Sequence, residues 1–379
     1  MICDCFINYT SLLQSYIYKI TNKLYILFHL QFLLKLKKNF KIMDSFSKKE
    51  ISIAPMMKWT DRHCRFFHRQ FSKKILLYTE MIPANAIIFG KPEKFLKFNV
   101  QQHPISVQLG GSDPSVLAKA SKICDSFGYD EINLNVGCPS PKVKKGRFGA
   151  CLMAEPKLVK ECLDKMINEV SVPVSVKCRI GIDEMDEVKG LDNFIDTILE
   201  SKISKIIIHA RKAYLDGLNP KQNRDVPPLN YERVKLLKSR LKGEVKIIVN
   251  GGIDNIHKSK DLLSWADGIM IGREAYRSPL FINSLNNLLS KSERDPSFLR
   301  VDIINKIVKY INDTYKIDAN FKMHHITRHM LGLYHGVPGG KVFRNKLNRI
   351  AQSNQNPNKI LYLVDEMEEY IKARKLMVA

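Results

Sequence analysis

The chain has no CxxC pair and no Cys/His spacing of the zinc-binding kind among its eight cysteines (Cys3, Cys5, Cys64, Cys124, Cys138, Cys151, Cys162, Cys178). That excludes the usual zinc modules and a disulfide scaffold, predicts no metal site, and points to a reducing compartment. Most of these thiols read as small buried hydrophobes. Long apolar runs are also missing. The longest candidate, Leu24–Leu36, is broken by polar residues and falls short of the ~20 apolar residues that a membrane span needs. No glycine-rich phosphate turn follows the first apolar segment, which ends Ala54-Pro55-Met56-Met57.

Acidic residues are in short supply. Against 38 Asp and Glu stand 61 Lys and Arg, a formal net charge of +23. Such an excess repels itself unless it meets an anion, so nucleic acid becomes a favoured partner. A codon bias toward lysine in an AT-rich genome accounts for part of it. The imbalance is more telling where it is local. Between Ala319 and Val364 the chain has seven Lys or Arg, four His and no acid, whereas a solvated helical face normally mixes signs.

Residues 1–42 stand apart, with six Lys, no Arg and a single acid, Asp4. Organellar targeting peptides are usually Arg-rich, so this segment reads either as an unusual transit peptide or as an extension upstream of a start at Met43. The expected location is the cytoplasm, with mitochondrion or plastid as the alternative if the segment is a transit peptide.

What is present is a repeat. Eight apolar runs rich in Ile and Val alternate with longer amphipathic stretches: Ile51–Met56, Leu76–Ile82, Pro104–Gly110, Glu131–Gly137, Val172–Arg179, Lys205–Arg211, Val245–Gly252 and Gly268–Arg273. Near-continuous apolar runs suit parallel strands buried on both faces. Asp113-Pro114 opens one of the intervening helices, Asp113–Phe127, and Glu155–Val170 sets Leu158, Cys162, Leu163 and Met166 on one stripe of another. Eight such units predict an α/β fold, a (β/α)8 TIM barrel over residues 43–285, with a doubly wound sheet as the runner-up. After that the strand pattern stops. Residues 286–379 predict a smaller, all-helical C-terminal domain with helices over Val301–Tyr315, Met323–Leu333, Lys341–Ala351 and Lys359–Leu376.

Barrel chemistry gathers at the C-terminal ends of the strands, and polar residues cluster there. The third strand contains Gln108, the fourth ends Asn135-Val-Gly-Cys138, and the fifth contains Lys177-Cys-Arg179. The sixth ends in His209, the seventh in Asn250-Gly251-Gly252, and the eighth in Gly272-Arg273. Glycine pairs and an arginine on the last two strands form the usual barrel site for a ligand phosphate. Lys177 lies in an apolar strand, where an unpaired charge is costly, so it either pairs with a core carboxylate or faces a ligand. His209 is either a satisfied core histidine or part of the same site. Cys138 heads a long basic loop, Lys142–Ala150, with Gly146 and Gly149 as candidate hinges. It is a packing cysteine, a nucleophile, or a thiol that keeps its proton at neutral pH and donates it.

Several motifs carry a family resemblance. Ala54-Pro-Met-Met-Lys-Trp-Thr-Asp-Arg-His-Cys-Arg65, Gln108-Leu-Gly-Gly111, Asn133-Leu-Asn-Val-Gly-Cys-Pro-Ser-Pro141, Val176-Lys-Cys-Arg-Ile-Gly181 and His209-Ala-Arg-Lys-Ala213 resemble the tRNA-dihydrouridine synthases. Trp59-Thr-Asp-Arg-His63 and Gly217-Leu-Asn-Pro-Lys-Gln-Asn-Arg224 resemble the A-type branch, which acts at D-loop positions 20 and 20a. The resemblance implies an FMN-dependent oxidoreductase that reduces those uridines with NADPH. It acts on tRNA, with no membrane and no obligate protein partner. It implies FMN contacts from Pro55, Met56, Met57, Gln108, Lys177 and His209. The FMN phosphate falls to Asn250, Gly251, Gly252, Gly272 and Arg273, and the target base to Asn135. tRNA contacts fall to Lys142, Lys221, Arg224, Lys341 and Arg344. Hydride from reduced flavin to uracil C6 and a proton from Cys138 to C5 is the implied chemistry. The rivals are an FMN barrel acting on a free pyrimidine and an RNA-binding protein that has lost catalysis.

Overall fold

The structure, a computed structural model, describes residue 46 and residues 48–290, 295–353 and 356–378. The reading of residues 1–42 lies outside these. Residues 49–379 form one compact unit.

Eight parallel strands close into a barrel in sequence order: β1 (Glu50–Ile53), β2 (Leu76–Pro83), β3 (Ile105–Gly110), β4 (Glu131–Asn135), β5 (Val174–Arg179), β6 (Lys205–His209), β7 (Lys246–Asn250) and β8 (Gly268–Ile271). The last pairs with the first, Ile269 beside Ile51 and Ile271 beside Ile53. The expected (β/α)8 barrel is therefore present, and the doubly wound alternative is not. Five of the eight strands stop two or three residues short of the apolar runs read from the sequence. The residues left over, such as Val136-Gly137 and Gly251-Gly252, turn out of the sheet and build the mouth.

Helices cover the barrel. Those after the first four strands are α1 (Arg62–Arg69), α2 (Ala84–Ile88), α3 (Pro92–Leu96), α4 (Pro114–Ser126), α5 (Pro141–Lys145) and α6 (Pro156–Glu169). The remainder of the ring is α7 (Lys189–Leu199), α8 (Tyr231–Leu241), α9 (Ile256–Leu263), α10 (Arg273–Arg277) and α11 (Leu280–Ser290). Side-chain caps set several starts. Asp113 accepts from the Val116 N–H at α4, Asn230 from Arg233 at α8, and Asn255 from Lys258 at α9; such a cap contributes about 1 kcal/mol. α6 buries Val159, Cys162, Leu163 and Met166 against α4 and α7.

The chain ends in α12 (Pro296–Ile317), α13 (His324–Thr327), α14 (Gly340–Gln352) and α15 (Lys359–Val378). The sequence predicts a full helix over Met323–Leu333, but only the single turn α13 forms. The cause is tertiary. Arg328 and His329 turn aside to the Asp61 carboxylate at the head of α1. Gly332 then passes so close to the Arg277 carbonyl that a Cβ there would lie 2.3 Å from its oxygen. Among the described residues no helix is long and apolar enough to cross a membrane.

Side chains alternate along a strand, and the barrel interior is divided. Ala54, Leu76, Tyr78, Ile207, Ile248 and Met270 form an apolar sector. The sector from β3 to β5 is polar, with Ser106, Gln108, Glu131, Asn133, Asn135 and Ser175 all buried. Lys205 reaches into its floor and bridges Glu131 at 2.6 Å and Glu50 at 2.7 Å.

Candidate active site

A cavity of about 720 Å³ opens at the C-terminal ends of the strands, within the ~300–1,000 Å³ typical of small-molecule and cofactor sites. A larger hollow, about 870 Å³, lies between α1 and α12. It is the weaker candidate. Arg62 on its wall is spent on Asp318 at 2.7 Å, Arg69 donates to the Ser72 and Gln102 carbonyls, and no strand end points into it.

The mouth cavity gathers nearly every residue the sequence singles out for chemistry. Pro55, Met56, Met57, Gln108, Asn135, Cys138, Lys177, His209, Arg224, Asn250, Gly251, Gly252, Gly272 and Arg273 all line it. Four of the expected tRNA contacts do not. Lys142 on α5, Lys221 and Lys341 are exposed, and Arg344 on α14 is partly so.

Cys138 is held by its backbone. Its N–H donates to Asn135 Oδ1 at 3.0 Å, and its carbonyl accepts from the Ala150 N–H at 2.9 Å. The expected loop after Cys138 is instead the short helix α5 followed by a 3-10 turn, Gly149–Ala154. Gly149 is a close-approach residue rather than a hinge. Its φ is +76°, and a Cβ there would sit 2.6 Å from the Cys138 carbonyl oxygen. Only glycine fits.

Lys177 faces the cavity, and among the described residues no carboxylate pairs with it, so the core ion pair is excluded. Burial, with Arg179 nearby, lowers its pKa to about 8. His209 is buried. Desolvation, followed by Arg179, Lys177, Arg211 and Arg224, pushes its pKa well below 6.5, so its ring is neutral, with one nitrogen able to donate a hydrogen bond and the other to accept one. Gly251 has φ +113°, and a Cβ there would come within 2.4 Å of His209 Cδ2. With Gly252 at φ +62°, it leaves backbone open at the cavity wall beside Arg273. Arg273 itself pairs with Asp225 at 2.8 Å. Arginines beside glycine backbone at a cavity wall make a site for an anion, and a phosphate fits it.

Sequence reasoning missed two residues that hold the mouth together. Arg179 donates from Nε to the Gly137 carbonyl at 3.0 Å and from Nη1 to Lys212 and Asn223 carbonyls at 2.9 and 3.0 Å. It thereby ties the Cys138 turn to the loop after β6. Asn223, fully buried, bonds both the N–H and the carbonyl of Tyr214 and shapes the loop that presents Arg224. Arg179 had a signal, since it stands two residues after Lys177 on the same strand face. Asn223, inside a polar loop, had none. Trp59, stacked on Tyr276 at 4.3 Å, also walls the cavity unforeseen.

Residues 52–372 match the family described as dihydrouridine synthase (Dus). The chain belongs to the dihydrouridine synthase family. Among curated relatives it is 47% identical over 303 residues to the tRNA-dihydrouridine(20/20a) synthase of Shewanella oneidensis, covering 80% of this chain and 89% of that protein. It is 44% identical over 329 residues to the protein of the same name from Vibrio cholerae, covering 86% and 98%. The resemblance read from the motifs thus extends across the barrel and the C-terminal helices alike.

Proposed function

We propose that this member of the family reduces uridines 20 and 20a of tRNA to 5,6-dihydrouridine, with FMN bound in the mouth and NADPH as reductant. The observation that carries the reading is a single cavity in which Cys138 and Asn135 share space with Gln108, Lys177, His209 and an open cationic cradle.

The residues fit the cofactor. Gly251, Gly252, Gly272 and Arg273, with Asn250 at the end of β7, would hold its phosphate. Lys177, with no carboxylate partner among the described residues, and neutral His209 would face the ring system and ribityl chain, with Gln108 beside them and Pro55, Met56 and Met57 as the wall. When bound, FMN supplies the hydride that uracil C6 accepts, and NADPH replenishes it. C6 is electron-poor because the C4 carbonyl draws off the developing charge. Cys138 holds a proton at Sγ for C5, and water restores it to the thiol. Asn135 Nδ2 donates to Gln108 while its Oδ1 orients the Cys138 turn, and its amide would meet the entering base beside Cys138. The target base must leave its stack, and exposed Lys142, Lys221 and Lys341, with the partly exposed Arg344, would grip the surrounding phosphates. Residues 43–285 would then be the catalytic barrel and 286–379 the RNA-gripping part.

The test is Cys138→Ala on transcribed tRNA. Dihydrouridine formation should fall by roughly 10²–10⁴-fold, the range for loss of a general acid, with tRNA affinity unchanged. Turnover at the wild-type rate would remove Cys138 from the chemistry.

A further inference from the structure

A column of side chains runs through the polar sector of the barrel, from floor to mouth, and every donor in it points downward. Asn135 Nδ2 donates to Gln108 Oε1 at 2.7 Å, and Gln108 Nε2 to Asn133 Oδ1 at 2.8 Å. Asn133 Nδ2 donates to Ser175 Oγ at 2.8 Å, and Ser175 Oγ to Glu131 Oε1 at 2.7 Å. Glu131 Oε2 then meets the Lys205 ammonium at 2.6 Å.

Chemistry at both ends fixes this direction. Glu131, bridged to the Lys205 ammonium, meets Ser175 as an acceptor, so Ser175 gives its proton downward and is left as an acceptor for Asn133. At the top, the Gly137 and Cys138 N–H groups only donate, and Asn135 Oδ1 receives them at 3.2 and 3.0 Å. Turning the amides over would set a hydroxyl lone pair against Glu131 and an NH2 group against two N–H donors. All members are buried, and mispaired polar groups there are costly.

We propose that Glu131, Asn133 and Ser175 are positioning residues for the reaction. They set which face of the Gln108 and Asn135 amides meets the cavity, and so the acceptor that holds the Cys138 turn. The inference rests on the proposed flavin site only for what Gln108 meets there.

Ser106 provides the control. It too donates to Glu131 Oε1, at 3.1 Å, but takes no part in the column. In Ser175→Ala, FMN affinity of the apoprotein should weaken and dihydrouridine formation at saturating tRNA should slow, each by roughly tenfold, the scale of one lost buried hydrogen bond. The tRNA KM should stay put. Ser175→Thr keeps the hydroxyl and should restore both values. Ser106→Ala should lower the melting temperature yet leave both values intact. Equal losses in the two alanine variants would reduce the serines to floor stabilisers, and wild-type values in Ser175→Ala would overturn the column. Gln108→Ala separates the two readings. If its FMN affinity is unchanged, the flavin contact fails, and the rate in Ser175→Ala still decides for or against the column.

Discussion

Lys177 is an ammonium carried into the barrel mouth with no carboxylate paired to it among the described residues, and burial lowers its pKa to about 8 from a reference of 10.5. In the unfolded chain it titrates near the reference. Between those values the unfolded state binds more protons than the folded one, so stability rises with pH across that window. Below about pH 8 the folded protein carries the full penalty of the buried charge. The difference in urea-denaturation stability between wild type and Lys177→Met, taken at several pH values from 7 to 10.5, should show this rise, because the buried thiols that oppose it above pH 9 are common to both proteins. An unchanged slope in the variant would mean that another group is responsible. The same penalty is what a bound anion or electron-rich ring would relieve, so the cost in the empty protein and the proposed role in ligand binding have one source.

At the scale of elements, the join between barrel and C-terminal helices turns on Asp61. It caps α1 by accepting from the His63 and Cys64 N–H groups at 3.0 and 2.9 Å, and it also receives Arg328 and His329 from the far end of the chain. Burial opposes its charge, but the His329 hydrogen bond and charge outweigh that, and its carboxyl is held well below the usual aspartate range. Its contribution is therefore present at neutral pH and lost only as pH falls through that depressed value. Asp61→Asn keeps an N-cap acceptor and removes the ionic partner. It should cost about 2 kcal/mol, the scale of a charged hydrogen bond. Hydrogen exchange should quicken first in 324–333, with α4 and α6 unaffected. Faster exchange in α1 with 324–333 unchanged would show that Asp61 stabilises α1 alone. Sequence periodicity predicts a helix over 323–333, and this same contact explains why it stops after one turn: local propensity yields to a partner over 260 residues away.

Across the whole molecule, the charge of +23 is less uniformly free than the one-sign stretch suggests. Arg328 pairs with Asp61, and Lys346 with Glu366 at 2.5 Å, both acids lying outside that stretch. Lys341 and Arg344 on α14 have no ion pair among the described residues. If they meet tRNA phosphates, each contributes roughly 0.7–0.9 to the slope of log affinity against log salt. Lys341→Gln with Arg344→Gln should then lower that slope by about 1.5 while leaving NADPH oxidation by the free enzyme unchanged. A slope equal to that of wild type, measured by filter binding over a salt series, would take α14 off the RNA surface.

The sequence by itself determined the barrel, its eight strands and the residues at their ends, because hydrophobic periodicity and strand-end polarity are local and survive in one dimension. It also marked Cys138, Lys177 and His209 as a set. What only the tertiary structure decided is how polar side chains on different strands complete one another. Glu131, Asn133 and Ser175 sit among apolar neighbours in runs that read as simple buried strands, and Arg179 gains its partners from loops distant in the chain. A hydrogen bond between strands leaves no periodicity in either one, so its meaning exists only once the barrel has closed.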